Sequence, residues 1–283
     1  MHELPVTKCQ ATGNDFLILD ERATRHADHA SIARLACSRR FGIGADGLLV
    51  LQPPLRSESH VRLSIYNADG SEARSCGNGL RCVARYCFER ADGRPRRLIV
   101  ETPSGIATTE IIERDGRTAV RAAMGPATAI DVHERPRRLF GVDAWCVDVT
   151  IGNEHRVAFV DVEPNEFALD AAASALGDRS AYPDGVNVEV VKVTGGALTL
   201  RVHERGVGET WACGTGACAA VIAAVATKRA SSPAVVSMPG GDVQVEWSGR
   251  GHDAYLTGEA EIIFDTSIDL DRLAAAHSTA PIS

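Results

Sequence analysis

The sequence is poor in several features that mark other classes of protein. It holds only three lysines, Lys8, Lys192 and Lys228, and none lies in a context typical of a pyridoxal-phosphate lysine. No run approaches the roughly 20 apolar residues of a membrane span, and residues 1–10 lack the apolar core of a signal peptide. The arginine-rich stretches are short and broken by proline, and the formal net charge is −7. These properties argue against a nucleic-acid surface, which shows clustered basic residues.

Eight cysteines are present without a secretion signal, which favours a reducing compartment and free thiols. We therefore expect a cytoplasmic protein whose partner is a small molecule, with no nucleic acid and no membrane. The length of 283 residues suggests about two domains.

Two short segments are nearly identical: Cys76-Gly77-Asn78-Gly79 and Cys213-Gly214-Thr215-Gly216. Each precedes a run with the apolar pattern of a helix. The unpaired N–H groups of a first helical turn can hold a carboxylate, and the positive end of the helix dipole favours a thiolate. Inverting a carbon beside a carboxylate needs one group to remove a proton and another to return one to the opposite face. We predict that Cys76 and Cys213 form such a pair, in a racemase or epimerase that needs no metal or cofactor.

The remaining cysteines are interpreted as small buried apolar residues: Cys9, Cys37, Cys82, Cys87, Cys146 and Cys218. Zinc is the competing interpretation. However, Cys82 and Cys218 fall inside the predicted helices, and the five residues between Cys76 and Cys82 exceed the spacing of structural zinc knuckles. A thiol redox protein, with a reversible disulfide between Cys76 and Cys213, is a further alternative.

The strand and helix pattern repeats along the chain and predicts an α+β fold. We expect two similar domains related by pseudo-twofold symmetry, each a curved, mostly antiparallel sheet around a central helix, with the active site at the domain interface. Residues 1–121 plus 262–283 are predicted to form the domain that carries Cys76, and residues 122–261 the domain that carries Cys213. Helices are predicted over residues 31–40 and 215–229, and a turn at Met124-Gly125-Pro126 near the boundary. Strands are predicted at 17–19, 47–51, 61–66, 97–101, 107–112, 118–122, 147–151, 156–160, 186–191, 198–203, 235–238, 243–247, 254–256 and 260–264.

Longer blocks extend these motifs in order across nearly the whole chain. They are residues 11–16 (ATGNDF), 40–47 (RFGIGADG), 67–72 (NADGSE), 76–82 (CGNGLRC), 152–155 (GNEH), 185–189 (GVNVE), 204–210 (ERGVGET), 213–218 (CGTGAC) and 238–241 (MPGG). With these blocks the chain resembles the diaminopimelate epimerase family, whose cofactor-independent members interconvert LL- and meso-2,6-diaminopimelate on the way to lysine and peptidoglycan.

The resemblance implies a role for each matching residue. Cys76 and Cys213 correspond to the acid/base thiols, and Cys76 takes the proton of the LL isomer. Backbone groups of Gly77, Asn78, Gly214 and Thr215 hold the carboxylate at the reacting carbon, and Asn14 contacts the substrate nearby. The distal amino-acid end is held by Asn67, Asn153, Asn187, Glu204 and Arg205. The sequence leaves open whether the protein forms a homodimer.

Several of these residues have an ordinary structural alternative. Asn14 and Asn67 lie beside turns, where asparagine is common, and Glu204-Arg205 can be an exposed ion pair. His155 is a candidate for setting the thiol protonation states, or a satisfied core histidine.

The chain departs from the family pattern at two positions, since Glu154 and Glu259 stand where prolines are usual. Glu154 adds a carboxylate beside Asn153, which leaves another amino acid as an alternative substrate of a related racemase.

Overall fold

The computed structural model describes residues 3–24, 26, 28–74, 76–91, 93–114, 116–177 and 180–278. The chain divides into two compact units, and each is described here by itself. Unit 1 comprises residues 1–120 and 259–283, and unit 2 comprises residues 121–258. Within the described ranges, no helix is long and apolar enough to cross a membrane.

Unit 1 is built on strands that pair in the order β19-β1-β2-β3-β4-β6-β7, with the short β5 also on β4. Among these pairs, β2–β3 and β4–β6 are parallel and the others are antiparallel. Its elements are β1 (Glu3–Ala11), β2 (Asn14–Asp20), α1 (His29–Ala36), β3 (Gly47–Gln52), β4 (Val61–Asn67), β5 (Glu72–Ala73), α2 (Gly77–Arg90), β6 (Arg97–Thr102), β7 (Gly105–Arg114), β19 (Glu261–Asp269) and α5 (Leu270–Ser278). The strand β8 (Arg117–Pro126) contains the division between the units.

Unit 2 has the pairing order β9-β11-β12-β13-β14-β16-β17-β18, with β10 on β11 and β15 on β14. Its elements are β9 (Ala129–Val132), β10 (Arg137–Leu139), β11 (Val142–Ile151), β12 (Asn153–Phe159), a 3-10 turn (Pro164–Glu166), α3 (Leu169–Leu176), β13 (Asn187–Thr194), β14 (Ala197–Glu204), β15 (Gly208–Thr210), α4 (Gly214–Ala226), β16 (Ala234–Met238), β17 (Gly241–Trp247) and β18 (Asp253–Glu259).

The two units share one topology. In both, a parallel pair (β2–β3, then β12–β13) precedes an antiparallel partner (β4, then β14), a helix (α2, then α4) and a further antiparallel pair (β6–β7, then β16–β17). The predicted α+β fold with two similar, mostly antiparallel domains and few helices is confirmed. The repeat means that each of these strands and helices in one unit has a counterpart in the other.

The parallel pairs β2–β3 and β12–β13 are buried on both faces, which explains the continuous apolar runs in β2 and β3. In unit 1, Ile18 and Leu49 pack in one core with α2, whereas Leu17 and Leu48 pack in a second core with α1. Unit 2 repeats this arrangement, with α4 on one face and α3 on the other. Ten of the 13 residues of α4 are buried, as its alanine-rich sequence requires of a central helix.

Two of the predicted elements differ in the structure. The helix predicted over residues 31–40 ends at Ala36, because the chain folds back and the amides of Ile43 and Gly44 bond the carbonyl of Ala36. The predicted turn at residues 124–126 is the last part of β8, where Gly125 adopts a φ of +81°. The strands β1, β5, β9, β10 and β15 and the helices α3 and α5 were not predicted.

Candidate active site

Cys76 is the N-cap of α2. Its backbone is extended, and its Sγ accepts a hydrogen bond from the Gly79 amide at 3.2 Å. Sulfur thus takes the place of the oxygen that usually caps a helix. The side chain is half-buried.

Cys213 occupies the same position at the start of α4. Its Sγ accepts from the Gly216 amide at 3.4 Å and lies 3.5 Å from the Thr215 hydroxyl oxygen. Both sulfurs therefore lie at the positive end of a helix dipole, as the paired motifs predicted. Cys213 differs from Cys76 in being buried.

The residues after each cysteine begin the two helices. Gly77 and Asn78 are the first residues of α2, and Gly214 and Thr215 are the first residues of α4. The N–H groups of a first helical turn have no hydrogen-bond acceptor within the helix, and they carry partial positive charge. A carboxylate fits at such a position.

The electrostatic surroundings keep Cys213 protonated. Burial raises the pKa of its thiol well above the usual value, and the carboxylates of Glu204 and Glu189 raise that pKa further. Burial also raises the pKa of Glu204, although hydrogen bonds from Thr210 and Cys213 oppose this shift. The Thr210 hydroxyl donates to Glu204 Oε1 at 2.5 Å. Cys213 therefore resembles a proton donor at neutral pH more than a base.

A chain of polar side chains connects the first turn of α2 with β2. Asn78 Nδ2 donates to Asn14 Oδ1 at 3.2 Å, and Asn14 Nδ2 donates to Asp46 Oδ2 at 2.6 Å. The fully buried Arg81 donates to Asn78 Oδ1 at 2.5 Å and to the Thr12 hydroxyl at 2.8 Å. The structure thus brings Asn14 and Asn78 together, as predicted for a shared site.

Asn14 is held by a tight turn. Thr12 and Gly13 both have positive φ, 53° and 76°, and they connect β1 to β2 as a two-residue hairpin. Arg81, one helical turn after Asn78, fixes the Thr12 side chain from the other side.

Asn67 is the last residue of β4 and is exposed. Its Nδ2 donates to the Ser71 hydroxyl at 2.9 Å, and its backbone amide bonds the Ser71 carbonyl. These local contacts match the turn role that the sequence offered as an alternative. The contact between Asn67 and the substrate stays a prediction.

His155 joins two polar residues inside unit 2. The ring is fully buried, with Nδ1 2.6 Å from Glu189 Oε1 and Nε2 2.8 Å from Asn153 Oδ1. The predicted site residues Asn153 and His155 are therefore in direct contact.

Asn187 connects the start of β12 with the residue that follows β14. Its Nδ2 donates to the Glu154 carbonyl at 3.0 Å, and its Oδ1 accepts from the Arg205 amide at 2.9 Å. Arg205 Nη1 lies 3.5 Å from Glu154 Oε2, and both side chains are partly exposed. Asn187 thus positions the backbone of Arg205. The Glu154 carboxylate competes with any bound carboxylate for the Arg205 guanidinium.

Sequence reasoning did not assign roles to Asp46, Arg81, Thr210 and Glu189. A signal was available for Glu189: Asn187 and Glu189 alternate along one strand, so their side chains share a face of the sheet. The same alternation relates Asn153 and His155. Asp46 contacts Asn14, and Arg81 contacts Thr12, from positions distant in sequence, which no local pattern shows.

A metal centre at the cysteines has no support in the described part of the chain. The group there with metal-ligand spacing is Asp131, His133 and Asp148, and it contains no cysteine. Asp148 is already held by Arg156 through two hydrogen bonds of 2.7 and 2.8 Å. Cys82 and Cys218 are buried in the cores around α2 and α4.

The family model for diaminopimelate epimerase matches residues 6–130 and 147–263. The chain belongs to the diaminopimelate epimerase family. A relative from Halothermothrix orenii with that name is 35% identical over 281 residues, covering 94% of this chain and 98% of the relative. The diaminopimelate epimerase of Moorella thermoacetica is 37% identical over 278 residues, covering 93% of this chain and 99% of the relative.

The fold of this diaminopimelate epimerase family member also resembles more distant proteins. A crystal structure of a phenazine biosynthesis protein of the PhzF family from Bacillus anthracis matches it with a TM-score of 0.72 at 15% identity. The match covers 95% of this chain and 99% of that structure. At this identity the likeness concerns the fold alone.

Proposed function

We propose that this protein interconverts LL- and meso-2,6-diaminopimelate by removing and returning a proton at one Cα. The observation that carries the proposal is that two cysteines cap equivalent helices in two units of the same topology. Membership of the diaminopimelate epimerase family supports the substrate.

The reaction needs a thiolate and a thiol. Cys76, as thiolate, takes the Cα proton of the LL isomer and becomes a thiol. The C–H electron pair moves into the adjacent carboxylate, and Cys213 gives its proton to the opposite face of the same carbon. Cys213 ends as a thiolate, so the protein is then prepared for the reverse reaction. The high pKa of Cys213 supports its assignment as the initial donor.

The helix N-termini have a second role in this proposal. Negative charge develops on the substrate carboxylate as the proton leaves, and amide donors aimed at that charge lower the barrier. Amides of Gly77, Asn78, Gly214 and Thr215 are the proposed donors. Asn14, held beside Asn78, is the proposed neighbouring contact.

The far end of the substrate carries a second ammonium and carboxylate. We assign its recognition to Asn67, Asn153, Asn187, Glu204 and Arg205. A guanidinium can bind a carboxylate through two parallel hydrogen bonds. A substrate without this second head would lack these interactions, so we expect the protein to discriminate against it.

Because the mechanism requires reduced thiols, we infer that the protein acts in the cytoplasm on a small amino acid.

Deuterium uptake at Cα tests the proposal. Reduced protein is incubated with LL-diaminopimelate in heavy water, and the products are followed by NMR. We expect deuterium at Cα together with the appearance of the meso isomer. The variants Cys76→Ala and Cys213→Ala serve as controls and should show no turnover. Wild-type rates in either variant would exclude the two-thiol mechanism.

A related racemase of another amino acid is the second candidate. The observation in its favour is the ion pair between Glu154 and Arg205, which weakens Arg205 as a carboxylate site. Exchange on another amino acid, without exchange on diaminopimelate, would select this candidate. Disulfide turnover with a reductase, without exchange on any amino acid, would select a redox role instead.

A further inference from the structure

The two cysteine caps face different side chains at one equivalent position. A Cβ on Gly79 would lie 3.5 Å from Cys76 Sγ and 3.0 Å from Leu49 Cδ2. A Cβ on Gly216 would lie 3.4 Å from Cys213 Sγ and 2.8 Å from Glu189 Oε1. The first turn of α2 thus packs on an apolar side chain, whereas the first turn of α4 packs on a carboxyl group.

The positions along the strands show that Leu49 and Glu189 are equivalent residues of the repeated topology. Leu49 is the third residue of β3, and Glu189 is the third residue of β13. The adjacent parallel strand carries Phe16 in unit 1 and His155 in unit 2, each as the third residue of its strand. One unit therefore holds Phe16 and Leu49 where the other holds His155 and Glu189.

The Glu189 carboxyl group is unusually placed for a charged residue. The side chain is fully buried, and Oε1 lies 2.6 Å from His155 Nδ1. Its Oε2 is buried and has no hydrogen-bond partner among the described residues. Burial of a carboxyl oxygen without a partner costs free energy, so this arrangement calls for a function.

His155 orients the pair. Its Nδ1 lies 2.6 Å from Glu189 Oε1, and its Nε2 lies 2.8 Å from Asn153 Oδ1. The ring therefore holds the Glu189 carboxyl group against the first turn of α4.

We propose that Glu189 is a positioning residue that makes the two thiols unequal: its carboxylate, held by His155 against Gly216, keeps Cys213 in the thiol form. The carboxylates of Glu189 and Glu204 raise the pKa of Cys213, whereas hydrogen bonds with the Thr215 hydroxyl and the Gly216 amide lower it. His155 in turn lowers the pKa of Glu204. In unit 1, the apolar Leu49 occupies the position from which Glu189 acts.

This inference rests on the proposed function at one point, because the thiol form of Cys213 supplies the proton that the proposed reaction delivers to the substrate. It is tested without substrate, so its failure is distinguishable from failure of the deuterium experiment. The measurement is the rate of alkylation by iodoacetamide as a function of pH, followed separately at Cys76 and Cys213 by peptide mass spectrometry. The pH midpoint of this rate reports the thiol pKa independently of how accessible the sulfur is.

The test variant is Glu189→Gln, which keeps the shape and removes the charge. A nearby negative charge disfavours a thiolate, so its loss should lower the Cys213 midpoint. We expect a shift of about one pH unit, which makes alkylation of Cys213 about tenfold faster below the midpoint. The Cys76 profile should not change. The matched control is Glu101→Gln, which removes another buried carboxylate, one that accepts from the Leu55 and Arg56 amides.

An unchanged Cys213 midpoint in folded Glu189→Gln protein would overturn the proposal, as would an equal shift in the Glu101→Gln control. The wild-type protein supplies a second arm that needs no variant. There the midpoint of Cys213 should lie above that of Cys76, and an equal or lower midpoint would also overturn the proposal. Glu189→Asp, which keeps the charge, should leave the Cys213 midpoint closer to wild type than Glu189→Gln does.

Discussion

At the scale of single residues, cysteine occurs in two kinds of environment. Six thiols lie in the cores and are buried: Cys9, Cys37, Cys82, Cys87, Cys146 and Cys218. Burial raises the pKa of Cys37 to about 12 and the pKa of Cys146 to about 11, so these thiols stay protonated and unreactive. Cys76 and Cys213 instead accept a backbone amide at a helix start.

The capping role of Cys76 can be separated from its proposed chemical role. Serine at this position can accept the Gly79 amide, whereas alanine cannot. Removal of an N-cap acceptor costs about 1 kcal/mol. We therefore expect Cys76→Ala to unfold more easily than Cys76→Ser by about this amount in urea denaturation, while both variants lose epimerase activity because a hydroxyl is a far weaker acid/base group than a thiol. The same pair of variants at Cys213 provides the matched comparison. Equal stability of the alanine and serine variants would show that the sulfur does not act as a cap in solution.

At the scale of elements, the third residue of each capped helix must be small. Gly79 and Gly216 lie so close to β3 and β13 that an added methyl group meets a side chain from the strand below. In α2 the neighbour is Leu49, which can move by a few tenths of an ångström. In α4 the neighbour is the Glu189 carboxyl group, which is held by His155.

This contrast predicts different effects of the same substitution. Gly216→Ala pushes Glu189 away from His155, and we expect it to lower the free energy of unfolding by about 1–3 kcal/mol. Gly79→Ala should cost less, because alanine also favours the helix and only an apolar contact must adjust. Urea denaturation of the two variants measures the difference. A larger cost at Gly79 than at Gly216 would contradict this account of the packing.

At the scale of the whole molecule, each unit contains an aspartate paired with arginine. Asp15 Oδ1 lies 2.7 Å from Arg39, and Asp15 Oδ2 lies 2.5 Å from Lys8. Burial alone would raise the pKa of Asp15, but hydrogen bonds from Arg39 and Lys8 outweigh burial and lower it to about 2. In unit 2, burial opposes the hydrogen bonds from Arg156 and His133, and the net effect lowers the pKa of Asp148.

These shifts predict how stability depends on acid. A carboxyl group with a lowered folded-state pKa stabilises the protein above its unfolded pKa near 4, and this contribution disappears as the pH falls towards 2. We expect Asp15→Asn to lower the free energy of unfolding at pH 7 by about 2 kcal/mol and to weaken its decline between pH 4 and 2. Urea denaturation over this pH range measures both effects. The exposed Asp242→Asn is the control, and an Asp15→Asn curve parallel to wild type would contradict the assignment.

Much of the architecture could be predicted from the sequence, because it depends on neighbours along the chain. Alternation in β4 and continuous apolar runs in β3 indicate strands, and the two Cys-Gly-x-Gly segments mark the starts of α2 and α4. The helix α1 was predicted four residues too long at its end, since the contact that ends it comes from residues folding back onto Ala36.

By itself, the sequence determined the repeated α+β topology, the positions of the two capping cysteines and the family. Only the tertiary structure decided which groups surround each sulfur. Glu189 meets His155 across 34 positions of sequence, and Arg81 bonds the Glu259 carbonyl across 178. Such contacts depend on strand register and on which face a side chain occupies, so a local pattern cannot show them. The same register places Leu49 under one cysteine cap and Glu189 under the other.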